Sequence, residues 1–491
     1  MNPLKKLASQ TAIYGLPTIV GRLLSYLLNP LFTYNFSAKE FGINSSAYAY
    51  VSFLLVLLTY GMETTLFRFS QTEENKQTVY STALISVFTS SLLFILIACL
   101  FSGSISEGIK FTGHPEYVVW FSIIVGADAF AAIPFAKLRE QGKAKRFAFI
   151  RAANICLYIG LNLFFILFCK QIHESPSSAF KPLVDKIYNP KIGIGYIFIS
   201  NLIASLFTLV LLLPDIIKVR LVFDSPLWKR MFIYALPLLI AGLAGMVNET
   251  LDRILLTYLL PSKQAMAQIG IYSACYKVSI IMTIFIQAFR FAAEPFFFSR
   301  SQEKDSKKTM ADIMKFFVII CSIIFLVTMM NIQWIQYFAG SAEFRSGIKV
   351  VPILLLANMF LGIFINQSIW YKLSGQTHFG ALLTIFGAII TIALNIYWIP
   401  RIGYMGSAWA TLICYASMMI ASYFIGNKHY PVNYDIKRIL GYLTLSITLY
   451  LISRWIKTDS VTINLFMNNT LVLAFIAVIW KLEKTNLRRL T

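Results

Sequence analysis

Along this chain the polar positions are punctuation and the apolar positions are the text. Runs of about twenty predominantly apolar residues, the length a helix needs to cross a bilayer, follow one another from end to end. They predict about fourteen membrane-spanning helices, at residues 11–34, 46–67, 79–101, 117–136, 147–169, 192–213, 231–259, 267–293, 313–335, 348–370, 379–399, 404–425, 436–456 and 463–480. One such run could be a buried core helix, but a whole series of them cannot. The fold class expected is therefore an all-α polytopic membrane protein. The first run is too long for a cleavable signal peptide and lacks a small-residue cleavage site. The longest predicted loop, about 170–191, leaves no room for a soluble domain.

Composition sharpens this picture. Hydrophobic residues make up 57% of the 491 and charged residues only 13%, against about 25% in an average soluble chain. Mean hydropathy is +0.68. The net charge of +21 would suit a polyanion partner if it were clustered on one folded face. Instead it follows the loops. With Lys5 and Lys6 placed inside, the inside segments carry roughly twice as many Lys and Arg as the outside ones, which is the positive-inside signature. The richest are "KLREQGKAKR" at 137–146, "KVRLVFDSPLWKR" at 218–230 and "RSQEKDSKK" at 300–308. An even number of spans then places both termini in the cytoplasm. Nucleic acid is not an expected partner. The six cysteines show no paired spacing, so no disulfide framework and no metal site is predicted.

A short phrase returns. "IYGLP" at 13–17 reappears as "IYALP" at 233–237, and the "FRF" at 67–69 reappears at 289–291 in the same order. The copies lie six helices apart, so both enter the membrane from the same side, as in transporters built from parallel repeats. The predicted organisation is a six-helix bundle at 1–220, a second at 221–425, and two extra helices with a basic tail at 426–491. Pro17 and Pro237 occupy matching positions and predict paired kinks, tolerable in lipid when neighbours or water satisfy the freed carbonyl.

Charges inside spans are costly and mark pathways or buried pairs. Five bases (Arg22, Arg151, Arg253, Lys277, Arg290) and five acids (Glu63, Asp128, Glu249, Asp252, Glu294) are expected there, all in helices 1, 2, 4, 5, 7 and 8 and none in helices 9–14. On helix 1, Thr11, Tyr14, Thr18, Arg22, Ser25, Tyr26, Asn29 and Thr33 fall within about a third of the circumference, a polar stripe suited to a wet cavity wall. The competing arrangement neutralises Arg22 with Glu63 or Asp128 across a polar helix seam. On helix 8, Ser273, Lys277, Gln287, Arg290 and Glu294 share one arc. "NETLDR" at 248–253 sets Glu249 one turn before Arg253, so internal ion pairing competes for that arginine. Arg68, Arg290 and Arg151 lie near helix ends, where snorkelling is the ordinary alternative.

With "IYGLP" and "IYALP" opening the two halves, cations in helices 1, 7 and 8, "GIYSACYK" at 270–277 and the F-R-x-x-x-x-P run at 289–295, the chain resembles the oligosaccharide flippases of bacterial polysaccharide biosynthesis. These belong to the superfamily that also holds MATE multidrug exporters and lipid II flippases. The resemblance implies movement of an undecaprenyl-diphosphate-linked oligosaccharide, such as an O-antigen or lipopolysaccharide repeat unit, from the inner to the outer leaflet of the cytoplasmic membrane. It also implies alternating access by a monomer working alongside other polysaccharide-assembly proteins. Arg22, Arg253, Lys277 and Arg290 are then the expected cavity cations for the diphosphate, since arginine pairs bidentately with phosphate. Tyr14, Thr18, Ser25, Tyr26, Asn29 and Gln287 are the expected polar lining for sugar hydroxyls. No cofactor is expected. Glu63, Asp128, Glu249 and Asp252 are the candidates for Na⁺ or H⁺ coupling, and no P-loop is present.

Three other readings compete. A MATE-type cation-coupled exporter would favour an acidic cavity. A lipid II flippase is a close neighbour. A membrane glycan polymerase or ligase would need a catalytic carboxylate or histidine beside a sizeable outer loop, and the outer loops are short.

Overall fold

The computed structural model describes residues 20–21, 23–111, 113–300, 305–456 and 458–487. Among them the regular secondary structure is helical, with no strand. Helix α1 covers residues 23–35, and thirteen further helices are long and apolar enough to cross a membrane. They are α2 (Ala38–Thr72), α3 (Lys76–Leu100), α4 (Pro115–Glu140), α5 (Ala144–Glu174), α6 (Gly195–Ile217), α7 (Ser225–Leu259) and α8 (Ser262–Ser299). There follow α9 (Ser306–Met330), α10 (Ala342–Leu373), α11 (His378–Ile402), α12 (Tyr404–His429), α13 (Ile436–Trp455) and α14 (Val461–Lys484). In lipid the backbone must satisfy its own hydrogen bonds, which is why the apolar runs become helices. Leu100, Ile217 and Phe466 are largely exposed, as side chains facing acyl chains rather than water would be.

One helix departs in two respects from the pattern the apolar runs predict. α2 starts well before residue 46, because Ser37 caps it: its hydroxyl accepts from the Glu40 amide while the Glu40 carboxylate accepts from the Ser37 amide. The same helix breaks at Tyr60 and Gly61, both with positive φ (33° and 76°). The Tyr60 hydroxyl hydrogen-bonds Ser86, which also accepts from the Trp228 indole at 2.6 Å, and these contacts hold the break open. A side chain at Gly61 would meet the Leu238 Cβ at 3.0 Å and the Ala235 carbonyl at 3.3 Å. The α2 break thus packs against the turn of α7 that carries Pro237. Pro17 lies outside the described residues.

The long loop after α5 is more ordered than its prolines and lysines suggest. α5 passes through one π-helical stretch, Phe164–Cys169, and a short helix Lys181–Ile187 follows. The rings of Phe165, Tyr196 and Tyr188 stack in series at 4.7 and 5.1 Å.

The chain forms two compact units. Unit 1 comprises α1–α7, the first turns of α8 as far as Gly270, and residues Asn395–Tyr404. Its core lies among α2, α3, α4 and the start of α7, where Met62, Leu66, Val79, Val87, Ile133 and Met231 are buried. α4 is the most enclosed helix, and Gly126, Ala127, Ala129, Ala131 and Ala136 let its neighbours approach closely. Among the described glycines of the unit, the tightest approach is between α2 and α8. A Cβ on Gly42 would stand 1.7 Å from the Met266 carbonyl oxygen, and one on Gly270 would stand 1.9 Å from the Ala38 oxygen. α2 and α7 also run side by side. Ser46 and Thr257 share a hydrogen bond of 3.2 Å, Tyr50 donates to Tyr258 at 3.0 Å, and Lys110 donates to the Thr257 carbonyl at 2.7 Å.

Unit 2 comprises Ile271–Leu394 and Met405–Thr491. α10, α11 and α12 share a core of Ala357, Phe364, Trp370, Leu383, Cys414 and Met418. α9 packs against α10 on one side and against α13 and α14 on the other.

Candidate functional site

The charged and polar positions singled out by the sequence separate into local groups. Tyr14, Thr18 and Arg22 lie outside the described residues. On α1, Ser25 and Tyr26 are half-buried and Asn29 is fully buried, its main-chain carbonyl accepting from the Thr33 hydroxyl at 2.9 Å.

On α7, Arg253 is held along its own helix. Its Nη1 donates to the Asp252 carboxylate at 3.1 Å and to the Glu249 main-chain carbonyl at 3.0 Å. The expected Glu249–Arg253 side-chain pair is therefore replaced. The guanidinium folds back onto the peptide group one turn earlier and takes the adjacent carboxylate, while the Glu249 side chain is exposed. Asn248 and Asp252 are both buried, the turn between two apolar faces being the part of α7 turned inward.

Glu63 forms an ion pair with Arg139 at the end of α4, and that guanidinium lies 5.2 Å from the Phe67 ring. Both side chains are more than a third exposed, so the pair is worth about 1 kcal/mol or less. The partner of Glu63 thus comes from a stretch that hydropathy assigns to a loop. Asp128 is half-buried on α4, beside the Ser205 hydroxyl of α6 and within electrostatic reach of Arg151 on α5. Arg151 lies over the Phe135 ring, 4.1 Å from its centroid. A seam of neutral hydrogen bonds runs through the same part of the unit, joining α5 to α6 and α6 to α2. The Asn154 amide donates to the Ala204 carbonyl and the Thr208 hydroxyl, both at 2.9 Å, and the Asn201 amide donates to the Tyr48 hydroxyl at 2.8 Å. Charge patterning alone does not reveal this seam. The one-turn spacing of Asn154, Tyr158 and Asn162 on α5 is the signal that would have found it.

In unit 2, Lys277 and Gln287 are half-buried on α8. Arg290 donates to Glu294 at 2.9 Å, one turn on, and Lys372 at the end of α10 donates to the same carboxylate oxygen at 2.6 Å. Two cations on one carboxylate leave this cluster with a net positive charge. Lys372 sits just past the predicted end of its span, which is why charges counted within spans do not include it.

The expectation that helices 9–14 hold no charge is overturned. Lys315 is 3% exposed on α9, inside the ninth predicted span, and Glu483 on α14 is fully buried. The Glu483 carboxylate accepts from Lys315 at 2.9 Å, Arg438 at 2.8 Å and the Tyr442 hydroxyl at 2.7 Å. The charges survive there because donors from two other helices meet the acid, which no single stretch of sequence displays.

Among the described residues no cluster of three or more His, Cys, Asp or Glu is positioned to hold a metal ion. Arginine and lysine with partial local neutralisation suit the transient binding of an anion, since their N–H groups can exchange a carboxylate for a phosphate oxygen.

Residues 7–141 match the family of polysaccharide biosynthesis proteins. No curated protein matches at the level of sequence. Among solved structures, the chain is similar to the lipid II flippase MurJ in an inward closed conformation. The TM-score is 0.73 at 15% identity, covering 95% of this chain and 98% of that one. It is also similar to a MATE protein crystallised with MaD3S (TM-score 0.61, 12% identity, 87% and 98% covered). The Vibrio cholerae MATE transporter VcmN in its bent form gives 0.55 at 12% identity, with 87% and 98% covered. The chain is a multi-pass membrane protein with the fold shared by the lipid II flippases and MATE transporters, and its N-terminal residues match the polysaccharide biosynthesis family.

Proposed function

We propose that this protein moves an undecaprenyl-diphosphate-linked oligosaccharide from the inner to the outer leaflet of a bacterial cytoplasmic membrane, by alternating access and with both termini in the cytoplasm. The observation that carries the reading is the match of residues 7–141 to polysaccharide biosynthesis proteins within a chain of lipid II flippase-like fold. The physical chemistry agrees with such a cargo. A diphosphate needs cations, and Arg22, Arg253, Lys277 and Arg290 are assigned to it. Arg253 and Arg290 each hold a carboxylate that phosphate oxygens could displace. Sugar hydroxyls need neutral donors and acceptors, which Ser25, Tyr26, Asn29 and Gln287 supply. Glu63, Asp128, Glu249 and Asp252 are the groups assigned to Na⁺ or H⁺ coupling, and Asp128 is the one beside the Ser205 hydroxyl and within electrostatic reach of Arg151.

The test is deletion of the gene in its own bacterium. Loss of surface polysaccharide with accumulation of the lipid-linked intermediate on the inner leaflet is expected. Complementation with Arg253→Ala should slow export at least tenfold, the consequence of losing about 1.5–3 kcal/mol of charged hydrogen bonding to the diphosphate. Arg253→Lys should restore part of it. Full export by Arg253→Ala removes that residue from the path. Drug resistance on overexpression, with polysaccharide unchanged, would favour an exporter, and rescue of cells depleted of their lipid II flippase would move the cargo to lipid II.

A further inference from the structure

We propose that unit 1 contains a phosphate-binding site at the end of its bundle where the 141–143 turn lies. There a cavity of about 370 Å³ is walled by α2, α3, α4 and α6 and ringed by Lys76, Lys137, Lys143 and Lys218. Four ammonium groups face two carboxylates, and both acids are already engaged. Asp215 pairs with Arg146 at 2.8 Å, and Glu140 pairs with Lys76 at 3.4 Å. Among the described residues no carboxylate lies within ion-pairing distance of Lys137, Lys143 or Lys218. The two acids in the wall, Asp215 and Glu140, also attract Lys137, but each is ion-paired to another cation, so positive charge is in excess around the cavity.

Lys137 is also positioned. Its ammonium stands 3.9 Å from the centroid of the Tyr80 ring, and the Tyr80 hydroxyl donates to the Asp215 main-chain carbonyl at 3.4 Å. The ring steers this lysine over the cavity wall rather than leaving it to sweep through solvent. Gln77 and Gln141 add neutral donors at the rim. Like charges held together repel, and an anion among them turns that repulsion into attraction. Lysine binds phosphate as a point charge without demanding one fixed orientation. A phosphate monoester, diester or diphosphate fits these features, whereas a carboxylate would engage fewer of the three cations. The cavity lies at the ends of α4 and α6, so both a lipid headgroup and a free phosphate compound can supply the group. None of these lysines belongs to the set assigned to the cargo, and the site stands whether or not the chain moves a glycan.

The experiment is amine-acylation footprinting of the full-length protein in phosphate-free alkyl maltoside micelles, read by mass spectrometry. Inorganic pyrophosphate is titrated in one arm, and phosphatidylglycerol is incorporated in the other. Labelling of Lys137, Lys143 and Lys218 is expected to fall at least threefold in one arm or both, while exposed Lys145 and Lys186 label as before. Protection by pyrophosphate identifies a soluble phosphate ligand, and protection by phosphatidylglycerol alone identifies a lipid headgroup. The combined Lys137→Gln, Lys143→Gln and Lys218→Gln variant should bind the protecting anion at least tenfold more weakly at an unchanged melting midpoint. Unaltered labelling of all three lysines by both anions overturns the proposal, and that footprint needs no variant to fold.

Discussion

Glu483→Ala is expected to loosen the last two helices and to cost about 3–5 kcal/mol, because it strands a buried cation. Glu483 is fully buried, and its removal would leave Lys315, among the described residues, with Asp312 as its one carboxylate partner, 3.6 Å away and partly exposed. An ammonium that loses its carboxylate in a low-dielectric interior must either draw in water or push α14 away. Arg438 is less affected, since its side chain reaches solvent and keeps Asp435 at 3.3 Å. Thermal unfolding in detergent, followed together with proteolysis between α12 and α14, is the direct measurement. The midpoint should fall and cleavage after residue 430 should accelerate. A control sharpens this: combining Glu483→Met with Lys315→Met should cost less than Glu483→Met alone, since no buried charge is then orphaned. If Glu483→Ala melts with the unaltered protein, the cluster contributes nothing measurable to the docking of α13 and α14.

The second large effect is expected at Gly270. Any side chain there collides with main chain: its Cβ would lie 1.9 Å from the Ala38 oxygen, 2.8 Å from the Ala38 carbonyl carbon and 3.0 Å from the Gly42 amide. No rotamer change relieves a clash with a peptide group, so α2 and α8 must separate. Overpacking of this kind costs about 1–3 kcal/mol where side chains can give way, and more where they cannot. Gly270→Val should lower the melting midpoint by about 5 °C or more. Gly42→Ala, with its Cβ 1.7 Å from the Met266 oxygen, should act alike. Gly160 is the internal control: a methyl group added there meets open space, and Gly160→Ala should be neutral. Equal midpoints for Gly270→Val and Gly160→Ala would refute the close approach. The two glycines were not legible as partners in the sequence, where they lie more than two hundred positions apart and only Gly270 falls in a recognised run.

What the sequence determined by itself was whatever depends on the solvent. Blocks of apolar residues long enough for a bilayer must become helices there, so the series of spans, the fold class and the superfamily resemblance were readable from the chain alone. Helix periodicity likewise placed Glu294 within reach of Arg290. Tertiary structure decided which groups meet. Arg139 takes Glu63, Lys372 joins Glu294, and Lys315 and Arg438 converge on Glu483. It also turned Arg253 toward Asp252 instead of the Glu249 carboxylate, and broke α2 at Tyr60 and Gly61. The physical reason is range. Hydropathy and helical period act over neighbouring turns, whereas a buried charge is satisfied by whichever helix brings an opposite charge within about 4 Å, and only packing selects that helix.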